Sequence, residues 1–176
     1  AIGGYVYSKQ PTRQGQVELR NLQGSVTVRY DERGVPHIRA ENETDLYRAL
    51  GYVHAQDRLF QMEAMRRLAR GELAEVLGPK LLDTDKLFRS LRIRERAASY
   101  VASLDKQSPA WKGLQAYLDG INQYQDSHAA PIEFDVLGIP KRPFTAEDSI
   151  SVAGYMAYSF AAAFRTEPLL TYVRDQ

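Results

Sequence analysis

The residues most able to do chemistry lie together in one segment, 51–67, which reads GYVHAQDRLFQMEAMRR. His54 stands three residues before Asp57, a spacing that puts both side chains on one face of a helix, where a hydrogen bond is possible. A catalytic pair of this kind needs a nucleophile, and none accompanies it. Asp57 and Arg58 are neighbours that should point in different directions, each towards a partner on another element. A buried, paired charge network would fix the orientation of the helix, so the pattern favours a structural role.

Other patterns for catalysis and metal binding are missing from the sequence. Its histidines are His37, His54 and His128, and no Gly-x-Ser-x-Gly elbow accompanies them. Cysteine is absent, which excludes disulfides, thiolate nucleophiles and zinc–thiolate sites. There is no His-x-x-x-His pair and no Gly-rich loop before a helix. His37 follows Pro36 in a short strand pattern and is interpreted as a hydrogen-bonded structural residue. A self-contained serine hydrolase is therefore not indicated.

Composition limits the choice of partners. The chain has 176 residues, 44% of them hydrophobic and 26% charged, with a formal net charge of +1. This length suits one sizeable domain or a large fragment. Balanced charge predicts no nucleic-acid partner, and no apolar run approaches the roughly 20 residues of a membrane helix. The final LLTYVRDQ contains no glycine or proline stop signal, so we expect a fragment or a processed subunit.

The first part of the chain, 1–40, is predicted to be a polar arm followed by short β-strands. Apolar residues alternate with polar ones at 17–19 and again at 26–30, with turn residues between them. A second turn at 31–34 leads to a third short strand at 36–40. The sequence therefore predicts a small β element at the start of an otherwise helical chain.

Helical spacing of the apolar residues begins at Thr44 and covers most of 41–127. The pattern predicts helices over 44–70, 72–77 and 87–104, and a fourth that starts at Pro109. Gly71 is a plausible C-terminal stop for the first, and Ser108 is a good N-cap for the fourth. The proline-rich segment 128–144 is predicted to be a loop. We treat 1–176 as a single unit.

The last part, 145–176, contains the least ordinary helix. Thr145 caps it and Asp148 completes a shortened capping box. The stretch SVAGYMAYSFAAAF, 151–164, then carries no charge over 14 residues. A helix that is apolar on all sides is either wholly buried or lines an apolar cavity, and the pattern alone leaves both open. The start of another helix follows.

Several long motifs resemble the penicillin acylase family. They are DERGVPHIRAEN, GYVHAQDRLFQMEAMRRLARGELAEVLG, LQAYLDGINQY and DVLGIPKRPFTAEDSISVAGYMAYSF, and they occur in the family's order. Phe144 stands where tryptophan is common, and the likeness covers about residues 17–170. The resemblance implies an α+β fold, with this chain as the mostly helical α subunit of an αββα N-terminal-nucleophile hydrolase and with short N-terminal strands.

The resemblance also implies the reaction and the partner. A precursor of this kind cuts itself into α and β chains, and the new N-terminal serine of the β subunit attacks the amide. The serine's own amine acts as the base, so this chain would contribute no catalytic residue and no organic cofactor. The expected substrates are N-acyl homoserine lactones, β-lactam antibiotics such as penicillins, or both. Relatives are exported, so a periplasmic or secreted location is expected.

Site residues follow from the same resemblance. The apolar helix would supply the walls of the acyl pocket, with candidates Tyr155, Met156, Ser159, Phe160 and Phe164. The best-known members carry arginine where Ser159 stands, so this chain lacks a carboxylate-facing cation and has room for longer fatty acyl chains. Glu167 is the candidate ligand of a structural calcium ion shared with the β chain.

The resemblance makes Gln56, Asp57 and Arg58 architectural, with Asp57 and Arg58 expected to pair with the rest of the heterodimer. Two other interpretations stay open. The chain could be a non-catalytic helical binding module with an apolar groove, or part of an inactive relative that lacks the serine.

Overall fold

The structure is a computed structural model that describes residues 3–5, 9, 11, 13–161 and 163–175, with the backbone alone at 163–165. Among the described residues, a β-hairpin is followed by a series of helices. The strands are β1 (Thr27–Tyr30) and β2 (Pro36–Arg39). The helices are α1 (Glu43–Arg70), α2 (Ala74–Leu77), α3 (Leu82–Ser90), α4 (Ile93–Ser103), α5 (Pro109–Ser127), α6 (Ile132–Leu137), α7 (Ala146–Phe160) and α8 (Ala163–Arg174), with a 3-10 turn at Pro79–Leu81. The predicted class, mostly helical with short N-terminal strands, is confirmed.

The hairpin is small because only two of the three predicted strands form. β1 and β2 pair antiparallel with Val28 opposite Ile38, and the carboxylate of Asp31 accepts hydrogen bonds from turn amides. The strand predicted at 17–19 is wrong. The chain after it bonds to helix side chains instead of to a sheet: the carboxylate of Asp45 on α1 accepts from the backbone amides of Gln23 and Gly24.

Helices α1 and α5 cross so closely that their backbones touch. A Cβ atom built on Gly51 would lie 1.9 Å from a carbonyl oxygen of α5, and one on Gly120 would lie 1.9 Å from the carbonyl oxygen of Arg48. Buried apolar residues of both helices, Leu59 and Ile121 among them, form the core beside this crossing. The predicted C-terminus of α1 is confirmed, because Gly71 adopts the left-handed C-cap conformation. The predicted N-terminus of α5 is confirmed as well, because Ser108 is its N-cap.

Three predicted boundaries are wrong, each for a local reason. The helix predicted over 87–104 is two helices, because Arg92 adopts a left-handed conformation with φ of 55°. The loop predicted over 128–144 contains α6, which buries Phe134 and ends at the left-handed Gly138. The apolar helix predicted to continue to 164 ends at Phe160 as α7. Within the described ranges, no helix combines the length and apolar character needed to cross a membrane.

Candidate functional site

A buried cluster of arginines and carboxylates lies in the second half of α1. Glu63 has no exposed surface, and its carboxylate accepts hydrogen bonds from Arg66 Nε at 2.8 Å and from Arg67 Nε at 2.7 Å. Glu63, Arg66, Arg67 and Arg70 recur at helical spacing, so charged side chains occupy the face of α1 that apolar ones would normally fill. This network lies one to three turns beyond Asp57 and Arg58, whose side chains are partly exposed. The pairing of those two residues with another chain stays a prediction.

The cluster fastens the N-terminus of α7 to α1. Asp148, in the first turn of α7, accepts from Arg66 Nη1 at 3.3 Å and from Arg70 Nη1 at 3.0 Å. The same carboxylate accepts from the amide of Thr145 at 3.0 Å, which completes the predicted capping box. The guanidinium of Arg66 also stacks over the ring of Phe144 at 4.0 Å and donates to a carbonyl just before it. The direction in which α7 leaves α1 is thus fixed by several contacts at once.

Glu72 extends the cluster towards the loop before α7. Its carboxylate accepts from Arg70 Nε at 3.0 Å and from Arg142 Nη2 at 3.4 Å. Burial disfavours the charged form of this carboxyl, but the hydrogen bonds and charges of Arg70 and Arg142 outweigh it and lower the pKa of Glu72. Hydrogen bonds and charges from Glu72 and Asp148 likewise outweigh desolvation and raise the pKa of Arg70. Both groups are charged at neutral pH, which suits a structural ionic contact and not proton transfer. We call the contacts of Asp148 with Arg66 and Arg70 the ionic clamp.

The middle of α7 packs against α3 and α4. Tyr155 and Tyr158 meet the ring of Phe88 edge-on, at centroid distances of 5.4 and 5.7 Å. A Cβ atom at Gly154 would lie only 2.9 Å from Cγ2 of Ile93, so the backbone of α7 comes directly against that side chain. An open apolar cleft of about 570 Å³ runs between α4 and α7, and Tyr100 forms part of its wall.

The C-terminal turn of α7 carries three of the predicted acyl-pocket residues and is open to solvent. Phe160 is 81% exposed and Met156 is 48% exposed. The hydroxyl of Ser159 donates to the carbonyl oxygen of Met156 at 2.8 Å, and the residue is exposed. Tyr155 lies apart from these three, against Phe88. The side chain of Phe164 lies outside the described part of the chain. The exposure of Met156 and Phe160 contradicts the alternative that α7 is wholly buried.

The predicted pair of His54 and Asp57 does not form. His54 Nδ1 shares a hydrogen bond of 3.1 Å with the hydroxyl of Tyr117 on α5, and burial lowers the pKa of His54. Asp57 accepts from Arg58 Nε at 3.0 Å and from Arg13 Nη2 at 3.3 Å. The prediction that Asp57 and Arg58 point apart is wrong, because the backbone of Arg58 leaves the helical conformation, with φ of −138° and ψ of 19°.

The remaining predicted residues lie at separate places. His37 Nε2 lies 3.3 Å from Asp31 Oδ2 across the hairpin turn, with both side chains partly exposed. Gln56 lines a cleft between α1 and the segment before β1. Glu167 is exposed on α8. Over the residues that the structure describes, no group of three or more acidic or histidine side chains could hold a metal ion.

Sequence reasoning missed the buried cluster, although a signal for it exists. The segment MEAMRRLARGE places charged residues at i, i+3, i+4 and i+7 from Glu63, a spacing that normally marks the buried face of a helix. The partners Asp148 and Arg142 are about 80 residues away in sequence, so no local pattern identifies them. The site thus consists of an ionic clamp at one end of α7 and an exposed apolar turn at the other.

Comparisons with known proteins agree on one family. Residues 25–176 match the family model described as Penicillin amidase. The chain is 41% identical over 143 residues to the penicillin acylase 2 proenzyme of Pseudomonas sp. (strain SE83), covering 81% of this chain and 18% of that protein. It is 35% identical over 168 residues to the acyl-homoserine lactone acylase QuiP of Pseudomonas putida, covering 94% of this chain and 20% of that protein.

A solved structure gives the same result for the fold. The thermostable penicillin G acylase from Alcaligenes faecalis superposes with a TM-score of 0.68 at 33% identity, covering 78% of this chain and 74% of that chain. The chain spans about a fifth of the length of the curated relatives it matches.

Proposed function

The chain belongs to the penicillin amidase family, and on that premise we propose that it is the pocket-forming, non-catalytic subunit of an enzyme that hydrolyses the amide of N-acyl compounds. The substrates would be N-acyl homoserine lactones, penicillin-type β-lactams, or both, the classes after which two of its relatives are named. The attacking group would be the N-terminal serine of a partner β chain from the same precursor, with the amine of that serine as base.

The observation that carries this proposal is the exposed apolar turn at the end of a firmly held helix. Phe160 and Met156 present large apolar side chains to solvent, while Asp148 at the other end is buried in the ionic clamp. Fully covering a phenylalanine side chain contributes about 1.5–3 kcal/mol. A rigidly mounted apolar surface of this kind suits the recognition of an acyl chain, because little ordering is needed when the ligand binds.

Ser159 supports an acyl group without a charged end. Its hydroxyl already donates to the carbonyl oxygen of Met156, so the residue offers neither a cation nor a free donor in this conformation. An apolar chain gains about 0.8 kcal/mol per buried methylene group, so affinity would rise with acyl length until the pocket is filled. This favours fatty acyl amides over acyl groups that end in a carboxylate.

The partner chain is expected to cover a second apolar surface. Four large apolar residues of α8 are exposed: Leu169, Leu170, Tyr172 and Val173. Apolar area of this kind on one helix is typical of a surface that another chain buries.

Glu167 lies on the same helix, and one exposed carboxylate fits the oxygen ligands that calcium prefers. Since the described residues contain no group of three or more candidate ligands, the partner would complete the site. Export to the periplasm or the exterior belongs to the same proposal.

Replacement of Phe160 tests the acyl pocket. In the enzyme produced from the complete gene, Phe160→Ala should lower kcat/KM for long-chain acyl homoserine lactones about tenfold and leave short-chain substrates nearly unchanged, because only long chains reach the lost ring. Val136→Ala is the control, since Val136 is 76% exposed on α6. An identical acyl-length profile for wild type and Phe160→Ala would contradict the assignment. Penicillin G measured in parallel decides between the two substrate classes.

The second candidate function is a binding module, and the open cleft between α4 and α7 favours it. Expression of this chain alone separates the candidates. A binding module should be a folded monomer, whereas a subunit that leaves α8 exposed should aggregate or lack fixed tertiary structure. If the complete gene encodes no serine at the start of a β chain, the protein is an inactive relative.

A further inference from the structure

We propose that Gly154 is a positioning residue that sets the acyl-length preference of the enzyme through its contact with Ile93. This inference rests on the proposed function, because it assumes that the end of α7 contacts the acyl chain. It assigns the control of that end to a glycine that faces α4 and does not belong to the exposed turn.

Contact between the backbone of α7 and Ile93 carries the inference. A Cβ atom at position 154 would lie 2.9 Å from Cγ2 of Ile93. Non-bonded carbon atoms prefer separations of about 3.5–4.0 Å, so only glycine allows α7 to lie this close. Ile93 lines the cleft between α4 and α7, but it is β-branched and its Cγ2 is attached directly to Cβ, so few rotamers are open to this methyl group. A larger residue at 154 would therefore displace α7.

The ionic clamp turns such a displacement into a tilt. Asp148 is held by Arg66 and Arg70, and it lies six residues before Gly154. Phe160 lies six residues after Gly154, so each half of the helix is about 9 Å long. With Asp148 fixed, a shift of about 0.6 Å at Gly154, enough to restore normal carbon contact, would grow to about 1.2 Å at Phe160.

A tilt of this size is sufficient to change specificity without unfolding the helix. Misplacement by about 1 Å at a reacting or binding group can cost up to two orders of magnitude in rate. One methylene group more or less in an apolar pocket changes kcat/KM by about 10- to 200-fold. Gly154 thus controls the distance between the acyl-facing turn and the rest of the pocket.

The decisive experiment compares two glycine-to-alanine variants in the complete enzyme. Gly154→Ala should change the ratio of kcat/KM for dodecanoyl over hexanoyl homoserine lactone about tenfold or more. Gly113→Ala is the matched control, because Gly113 is also within a helix and its Cβ would lie 3.1 Å from the ring of Tyr47, away from α7. Both variants gain helix propensity. Only the first should alter the ratio, and Gly113→Ala should stay within about twofold of wild type.

Truncation of the opposing Ile93 side chain, which removes Cγ2 together with the rest of the side chain beyond Cβ, provides the rescue. In the double variant Gly154→Ala with Ile93→Ala, the ratio should return to within about threefold of wild type, because the clash is gone. Ile93→Ala alone should bring the ratio closer to one, because α7 loses its lateral support. It also keeps the inference testable if Gly154→Ala does not fold. An active wild type with unchanged ratios in Gly154→Ala or, where that variant does not fold, in Ile93→Ala would overturn the inference alone. A wild type that hydrolyses no acyl amide would overturn the proposed function and this inference with it.

Discussion

Replacing Asp148 with asparagine isolates the charge of the clamp from its shape. Asparagine has the same size and can still accept the amide hydrogen bond of Thr145, so the cap of α7 survives. What disappears is the negative charge 3.3 Å from Arg66 Nη1 and 3.0 Å from Arg70 Nη1. Asp148 is 3% exposed and Arg66 is 2% exposed, so water cannot replace the lost partner.

The expected loss follows from that burial. Removing one member of a buried ion pair typically costs 3–5 kcal/mol, because the other charge is left without compensation. Arg66 retains Glu63 as a partner, so we expect the lower end, about 3 kcal/mol. Asp148→Ala should cost about 1 kcal/mol more, since it also removes the capping hydrogen bonds.

Urea unfolding of the purified enzyme, followed by circular dichroism at pH 7, measures this loss. Asp83→Asn is the control, because Asp83 also lies in the first turn of a helix but its side chain is 95% exposed beside Lys86. That variant should stay within about 0.5 kcal/mol of wild type. A loss below about 1 kcal/mol for Asp148→Asn would refute the idea that the clamp holds α7.

Three further changes test other parts of the chain. Gly120→Ala should cost about 3 kcal/mol or more in unfolding free energy, because its Cβ would meet a backbone oxygen at 1.9 Å, whereas Gly113→Ala meets only a ring and should cost far less. The pKa of Glu72 is lowered in the folded state, so its contribution to stability is present above about pH 4.5 and is lost as pH falls through the lowered pKa. In Glu72→Gln this loss of stability at low pH should be smaller, as measured by urea titrations at several pH values. The ion pairs that the structure describes for Asp57, with Arg13 and Arg58, are partly exposed and worth at most about 1 kcal/mol, so Asp57→Ala should change the stability of this chain little. We expect a large fall in the yield of processed enzyme, which would reveal a partner-chain contact, whereas normal yield with altered kcat alone would argue against it.

Local signals explain what could be predicted from the sequence. The ends of α1 and α5 are set by residues whose own conformation or side chain makes the cap, such as Gly71 and Ser108, and these were identified correctly. The strand predicted at 17–19 failed because alternation reports only that one face can be buried. It does not supply a neighbouring strand, and Asp45 provided the hydrogen-bond partners just downstream instead.

Long-range partners explain what could not be predicted. The kink at Arg58 and the left-handed Arg92 are departures by residues with ordinary helix propensity, so no composition rule marks them. For the site, the apolar sequence identifies the turn around Phe160, but it does not reveal that this turn is exposed. Whether a helix that is apolar on all sides is covered depends on which chain covers it, and that information lies outside its own residues.

The use of ions instead of apolar residues at the root of α7 has a physical rationale. A buried ionic cluster adds little net stability over well-packed apolar side chains, because desolvation offsets most of the attraction. Apolar packing, however, tolerates sliding, since its attraction has no preferred direction. The guanidinium of Arg66 is planar, stacks on Phe144 and donates in fixed directions to Glu63 and Asp148. These directional contacts together restrict the orientation of α7. In the proposed function, the apolar turn must lie at a defined distance from a reacting group on another chain, and for that role a fixed orientation matters more than added stability.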